Sequence, residues 1–241
     1  MAVPLIQLGQ CGNQVGRQFY DIMFEEGCKA SPAHQALLES FFTLDDKTDI
    51  KAKAFSIDME PKVVHKNLKM KKHWRYDAKL SLVQEEGSGN NWAYGCHVHG
   101  TKIRNDLANM FRKFAEKEDY IKCFVQAQSM AGGTGSGLGT YIIQLLNENF
   151  PKVPKFITCV MPHLSGEVIL QSYNACLSLG TIYPEADGIF IIENDEINQI
   201  CTRDLKIQKT SLDDINEVIG RNLASVFFPA IENNSSKLLS I

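Results

Sequence analysis

The sequence predicts an α/β fold, a Rossmann-like, mostly parallel sheet with helices on both faces. Two observations carry that prediction. Short apolar runs alternate with longer amphipathic stretches along the chain, and one run leads straight into a glycine-rich segment that opens a helix. VPLIQL (residues 3–8) reads as a buried strand and 12–26 as the helix after it. KAFSI (53–57) is a second strand, with a helix from Pro61, a residue preset for a first turn. Residues 103–117 carry Ile103, Leu107, Met110, Phe111 and Phe114 at helical spacing. CFVQAQ (123–128) is a strand, and a helix bearing Tyr141, Ile142, Leu145 and Leu146 runs from about 136 to 149. KFITCV (155–160) and GIFII (188–192) are further strands, followed by helices over 171–182 and 196–205. A last helix begins near Ser211, where SLDD supplies a serine cap and an acidic first turn. It points Ile215, Val218, Ile219, Leu223, Val226 and Phe227 inward. Residues 30–48 are the least patterned and read as a long surface loop. Residues 1–231 form one domain including its closing helix, and 232–241 a polar tail that is expected to precede a second domain.

Composition narrows the function. With 44% hydrophobic and 22% charged residues, the 241-residue chain can build a sizeable core. A net charge of -3 gives no reason to expect nucleic acid or an anionic membrane as a partner. The basic cluster of Lys66, Lys69, Lys71, Lys72 and Arg75 reads as a solvated helix end or loop in preference to a phosphate patch. Seven cysteines, an odd number with no C-x-x-C pair, suit free thiols in a reducing compartment. The first apolar run is too short for a signal-peptide core, and no run reaches membrane-spanning length. The reading is cytoplasmic. His97 and His99, two apart on an expected strand, face one way but have no further ligand cluster, so they read as surface or packing histidines.

The chemistry gathers on AGGTGSGLG, residues 131–139. Glycines at 132, 133, 135, 137 and 139 allow positive φ and close approach, and the Thr134 and Ser136 hydroxyls are expected to donate to phosphate. A P-loop needs lysine after its last glycine, and Leu138 stands there. The dinucleotide fingerprint from Gly133 needs glycine at 138, so it fails as well. A cradle without lysine requires other groups and a metal to offset phosphate charge. GQCGNQ (9–14), DME (58–60), GSGNNW (87–92) and END (193–195) stand after strands or at loops suited to help. The carboxylates of DME suit Mg2+ directly or through water. An aspartate at Gly135 is expected to abolish nucleotide binding and spare the fold.

In their order and spacing, GQCGNQ, DMEP, GSGNNWAYG, SMAGGTGSGLG, SYN and the END helix entry resemble a tubulin, over residues 3–231, and within that family the delta type most. The resemblance implies a GTP/GDP site with Mg2+. It places Gln10, Cys11 and Gln14 at phosphate, base and neighbouring groups, and Asp58 and Glu60 near the metal and γ-phosphate. Ser88, Gly89 and Asn90 would sense the γ-phosphate, while Ser129, Gly132, Gly133, Thr134 and Gly135 hold the α- and β-phosphates. Asn194 and Asn216 would read the guanine edge. Three departures stand out. Ala131 replaces the first loop glycine and requires a negative φ. Gln171 before SYN replaces a ribose-contacting glutamate, with Glu167 further back. Leu212 replaces the aromatic that stacks on guanine, a loss of about 1 kcal/mol, or roughly fivefold in affinity.

The resemblance further implies longitudinal contacts with other tubulins and a cytoskeletal place at centrioles and basal bodies. It implies slow hydrolysis by this chain alone, because the family draws an activating acid from the second domain of the next subunit. Two rival readings are an interaction module with a degenerate pocket and a nucleotide-dependent oxidoreductase. The failed dinucleotide fingerprint counts against the second.

Overall fold

The computed structural model describes residues 1–29, 31–46, 49–70, 72–166, 168–228, 230–231 and 238–239. Its main sheet is built from β1 (Leu5–Leu8), β4 (Ala54–Asp58), β6 (Ser81–Val83), β7 (Phe124–Ser129), β8 (Lys155–Met161) and β9 (Gly188–Glu193). The order is β6-β4-β1-β7-β8-β9, and every pairing is parallel. Successive strands therefore run outward from β1 to β6 on one side, and the chain then returns to β7 on the other. Ligands of open parallel sheets bind at the carboxyl edge beside such a reversal. A smaller sheet joins β2 (Phe42–Asp46), β3 (Asp49–Ala52) and β5 (Arg75–Tyr76), and β10 (Ala230–Ile231) pairs with β11 (Leu238–Leu239). Apart from β11, the expected tail 232–241 lies outside the described residues.

Strand alternation divides the core. Leu5, Val125 and Ala127 face α1 (Gly9–Gly27), α2 (Pro32–Phe41) and α9 (Leu212–Ser225), joining Phe19, Tyr20, Phe41 and Leu223. Ile6, Leu8, Phe55 and Ile57 face the opposite way. They meet Leu107 and Phe111 of α5 (Arg104–Ala115) and Ile142, Leu145 and Leu146 of α6 (Gly139–Asn149). Phe55 packs edge-on to Phe111 and Phe114, with centroids 4.8 and 5.1 Å apart. Burial of each such ring contributes about 2–3 kcal/mol. Helix α1 lies unusually close to β7, because a Cβ on Gly12 would stand 2.2 Å from the Ala127 carbonyl oxygen. Buried Asn13 fastens α1 to β1 and β4, its amide donating to the carbonyls of Gln7, Gly9 and Ile57.

Several expectations change. Within 30–48 the structure has helix α2 and strand β2 where a loop is expected; Ala30, Lys47 and Thr48 lie outside the described residues. Ser31 caps α2, Pro32 starts it, and Phe41 and Phe42 are buried against the rings of α1. The local pattern is weak because tertiary aromatic contacts, more than periodicity, hold this segment. Val226 is 44% exposed, since α9 ends at Ser225, whereas Phe227 turns back onto Phe19 and Phe41. His97 and His99 lie on no strand but in a π-helical turn, Tyr94–His99, which continues into the single turn α4 (Gly100–Lys102). There His99 is buried and His97 exposed, so the two do not share a face.

Candidate functional site

A cavity of about 400 Å³ opens at the carboxyl edge of the sheet, beside β1. That volume is in the range of small-molecule sites. Helix α3 (Pro61–Lys69) follows β4 at its rim, and α8 (Asn194–Gln199) follows β9. Gln10, Cys11, Gln14, Asp58, Glu60, Ser88, Gly89, Asn90, Ser129, Gly132, Gly133, Thr134, Gly135, Asn194, Leu212 and Asn216 all line it. The spread of these residues over most of the chain is reconciled by topology: they stand at strand ends, in the first turns of helices or in the 87–92 loop.

Three segments meet on one side. The Ser88 and Thr134 hydroxyls are hydrogen-bonded at 2.9 Å, joining the 87–92 loop to the glycine-rich run. Gly89 and Asn90 both take left-handed φ, 55° and 51°, which turns the backbone sharply into the cavity. Asn174 of α7 (Gln171–Ile182) then clamps both loops. Its amide donates to the carbonyls of Asn90 (2.8 Å) and Ala131 (2.7 Å), and its oxygen accepts from the Trp92 amide (3.0 Å).

The glycines of the run act differently from expectation. None of Gly132, Gly133, Gly135, Gly137 or Gly139 has positive φ. What most of them need is space. A Cβ would stand 2.6 Å from Asn91 N at Gly133, 2.5 Å from Ser129 O at Gly135 and 2.2 Å from Trp92 O at Gly137. These contacts are with backbone, which cannot step aside. An aspartate at Gly135 would therefore disturb the fold itself, contrary to expectation, whereas a Cβ on Gly132 meets only Asn90 Oδ1, at 3.5 Å. Ala131 keeps a negative φ, as its lack of glycine requires. The Ser136 hydroxyl is buried and donates to the Gly132 carbonyl, so it faces away from any ligand.

Asp58 ends β4 and is 3% exposed, with the Glu60 amide donating to it at 3.2 Å. Burial, together with the nearby Glu60 charge, pushes its carboxyl up to about 6. Across the cavity, α1, α8 and α9 present Cys11, Gln14, Asn194, Leu212 and Asn216, with the Asn216 amide donating to Gln14 Oε1 at 3.3 Å. Desolvation pushes the Cys11 thiol up to about 12, which favours the neutral thiol in this wall. Leu212 is 63% exposed and joins Ile215 and Val168 as the apolar part of this wall.

Gln171 is absent from the lining. Its amide is turned onto the His163 carbonyl at 2.9 Å, and Glu167 lies outside the described residues. Asp195 pins the same loop, with one oxygen on His163 Nδ1 at 2.6 Å and the other on the Leu164 amide at 2.9 Å. Leu8, Lys62, Val63, Val168 and Ile215 line the cavity without having been singled out as site residues from the sequence, and Gly9 lines it as the first residue of the GQCGNQ segment. For Lys62 a signal existed, since it follows Glu60 by two residues. For the apolar members none did, because they look like any core residue. Among the described residues no group of three or more His, Cys, Asp or Glu gathers as for a metal ion, and no helix is long and apolar enough to cross a membrane.

Comparison with known proteins gives a match of residues 2–202 to the model of the Tubulin/FtsZ family, GTPase domain. The chain is 38% identical to the tubulin delta chain of Mus musculus, over 98% of its own length and 54% of that protein. Identity to the tubulin delta chain of Homo sapiens is 38%, over 98% and 55%. The tubulin epsilon chain of Mus musculus is 34% identical over 83% of this chain and 45% of that protein. The chain thus spans about half the length of the curated relatives it matches.

Proposed function

This chain belongs to the Tubulin/FtsZ family, and from that premise we propose that its cavity holds a guanine nucleotide, GTP or GDP, with Mg2+. The observation that supports the reading is the convergence of the 87–92 loop, the glycine-rich run and the Asp58–Glu60 pair on one cavity at the strand-order reversal. Backbone amides of Gly132 to Gly135 and the Ser88 and Thr134 hydroxyls suit phosphate oxygens. Two adjacent carboxylates, one of them desolvated, suit a hard divalent cation held directly or through water. Mg2+, when bound, offsets phosphate charge. Asn194 and Asn216 offer amides, each able to donate and accept, to the base edge. Leu212 gives an apolar contact in place of an aromatic stack.

The relatives named tubulin delta chain support a delta-type assignment. In that role the protein joins other tubulins longitudinally and helps organise centriole and basal-body microtubules. GTP hydrolysis by this chain alone is slow. Multiple-turnover phosphate release that disappears on Glu60→Ala would contradict that.

Three measurements test the nucleotide reading. Chromatography of the denatured protein should release guanine nucleotide, and GTP or GDP, but not NAD, should raise the melting temperature. Gly132→Asp, which places a carboxylate toward the phosphates with little steric conflict, should lower guanine-nucleotide affinity by at least about tenfold. Its nucleotide-free melting temperature should match that of the parent. A protein that releases no nucleotide and shows no shift with millimolar GTP has the degenerate pocket instead.

A further inference from the structure

The glycine-rich run carries no lysine, yet one lysine does line the cavity. It is Lys62, the only basic residue among the described lining residues. Lys62 stands two residues after Glu60 and four after Asp58, in the first turn of α3, with Pro61 opening the helix. Its side chain is exposed and, among the described residues, has no hydrogen bond or ion pair, not even with the two carboxylates of the same rim. Its helical position is unfavourable for a cation. The amino end of a helix carries positive partial charge, and the first turn of α3 holds no acidic residue, the nearest being Glu60 at the N-cap. A polyanion in the cavity reverses this, because the helix end and the ammonium then attract the same group.

We propose that Lys62 is the phosphate-binding cation of this site, its ammonium meeting the phosphate farthest from the ribose and so favouring the nucleoside triphosphate over the diphosphate. The proposal rests on the guanine-nucleotide reading above. Asp58, Glu60 and Lys62 follow one another out of the same strand, so the cation stands on the same rim as the metal-suited carboxylates, in a cavity that the glycine-rich run also lines. It supplies from α3 the charge that a P-loop supplies from its own last turn.

Calorimetric titration with GDP and with the non-hydrolysable β,γ-imido analogue of GTP, both in Mg2+, tests it. Lys62→Met should weaken the triphosphate on the order of tenfold and leave GDP within about twofold. Lys62→Arg should keep most of the preference. Melting temperatures without nucleotide should be equal, since the side chain is exposed. A Lys62→Met protein with an unchanged triphosphate-to-diphosphate ratio overturns the proposal, as does equal weakening of both ligands. In either case the nucleotide site itself stands. If the parent protein binds neither ligand, the nucleotide reading falls and this proposal falls with it.

Discussion

Asn174 illustrates how much of this cavity depends on a single side chain that need not touch a ligand. It is 2% exposed and saturates three backbone groups from two loops that are far apart in sequence. Removing the amide leaves the Trp92 N–H and the Asn90 and Ala131 carbonyls without it, and an orphaned buried group costs about 1–3 kcal/mol. Asn174→Ala should therefore destabilise the protein by at least roughly 2 kcal/mol in chemical denaturation. Where it still folds, it should bind guanine nucleotide more weakly. Equal stability would show that the loops hold each other through Ser88 and Thr134 alone. The same scale shows why the glycines matter. Their motif is readable in the sequence, but their purpose, close passage of one backbone over another, is visible only once Asn91, Trp92 and Ser129 are in place.

Helix α9 shows what element-level signals carry. The SLDD cap forms as the sequence implies. The Ser211 hydroxyl accepts from the Asp214 amide at 3.2 Å, and the Asp214 carboxylate accepts in return from the Ser211 amide at 2.8 Å. The Ser211 hydroxyl, which donates to the same carboxylate at 2.6 Å, and then the Ser211 amide hold the Asp214 carboxyl below its ordinary value of 3.8. A carboxylate depressed in the fold stabilises above its unfolded value and loses that effect as pH falls through the lower, folded one. Ser211→Ala, which removes the N-cap hydroxyl, should lower the melting temperature at pH 7. The gap between mutant and parent should narrow below pH 3.8; thermal melts across that range would reveal a pH-independent gap if the box contributes nothing. Strong, local signals of this kind made α9, α6 and the main strands other than β6 legible. Helix α2 was not legible, because its stability comes from Phe41 meeting Phe19 and Phe227 from distant parts of the chain.

At the scale of the molecule, the two-faced sheet hides most thiols. Cys96, Cys123, Cys159 and Cys201 are buried, Cys11 is half-buried in the cavity wall, and Cys28 and Cys176 are exposed. Burial pushes the thiols of Cys123 to about 11 and of Cys11 and Cys159 to about 12, so they stay protonated in neutral solution. Iodoacetamide at pH 8 should modify Cys28 and Cys176 first, with the four buried thiols following only on global unfolding. Mass spectrometry finding early label on Cys159 would contradict the packing of β8. By itself the sequence determined the alternating strand-helix order, the segments that supply the cavity and the family, because these reside in local patterning and short motifs. Only the tertiary structure decided that Gln171 turns away, that Ser136 is buried and that Lys62 stands at the rim. Those outcomes depend on which strand ends lie side by side, and the reversal of strand order at β1, a long-range property of the sheet, sets that.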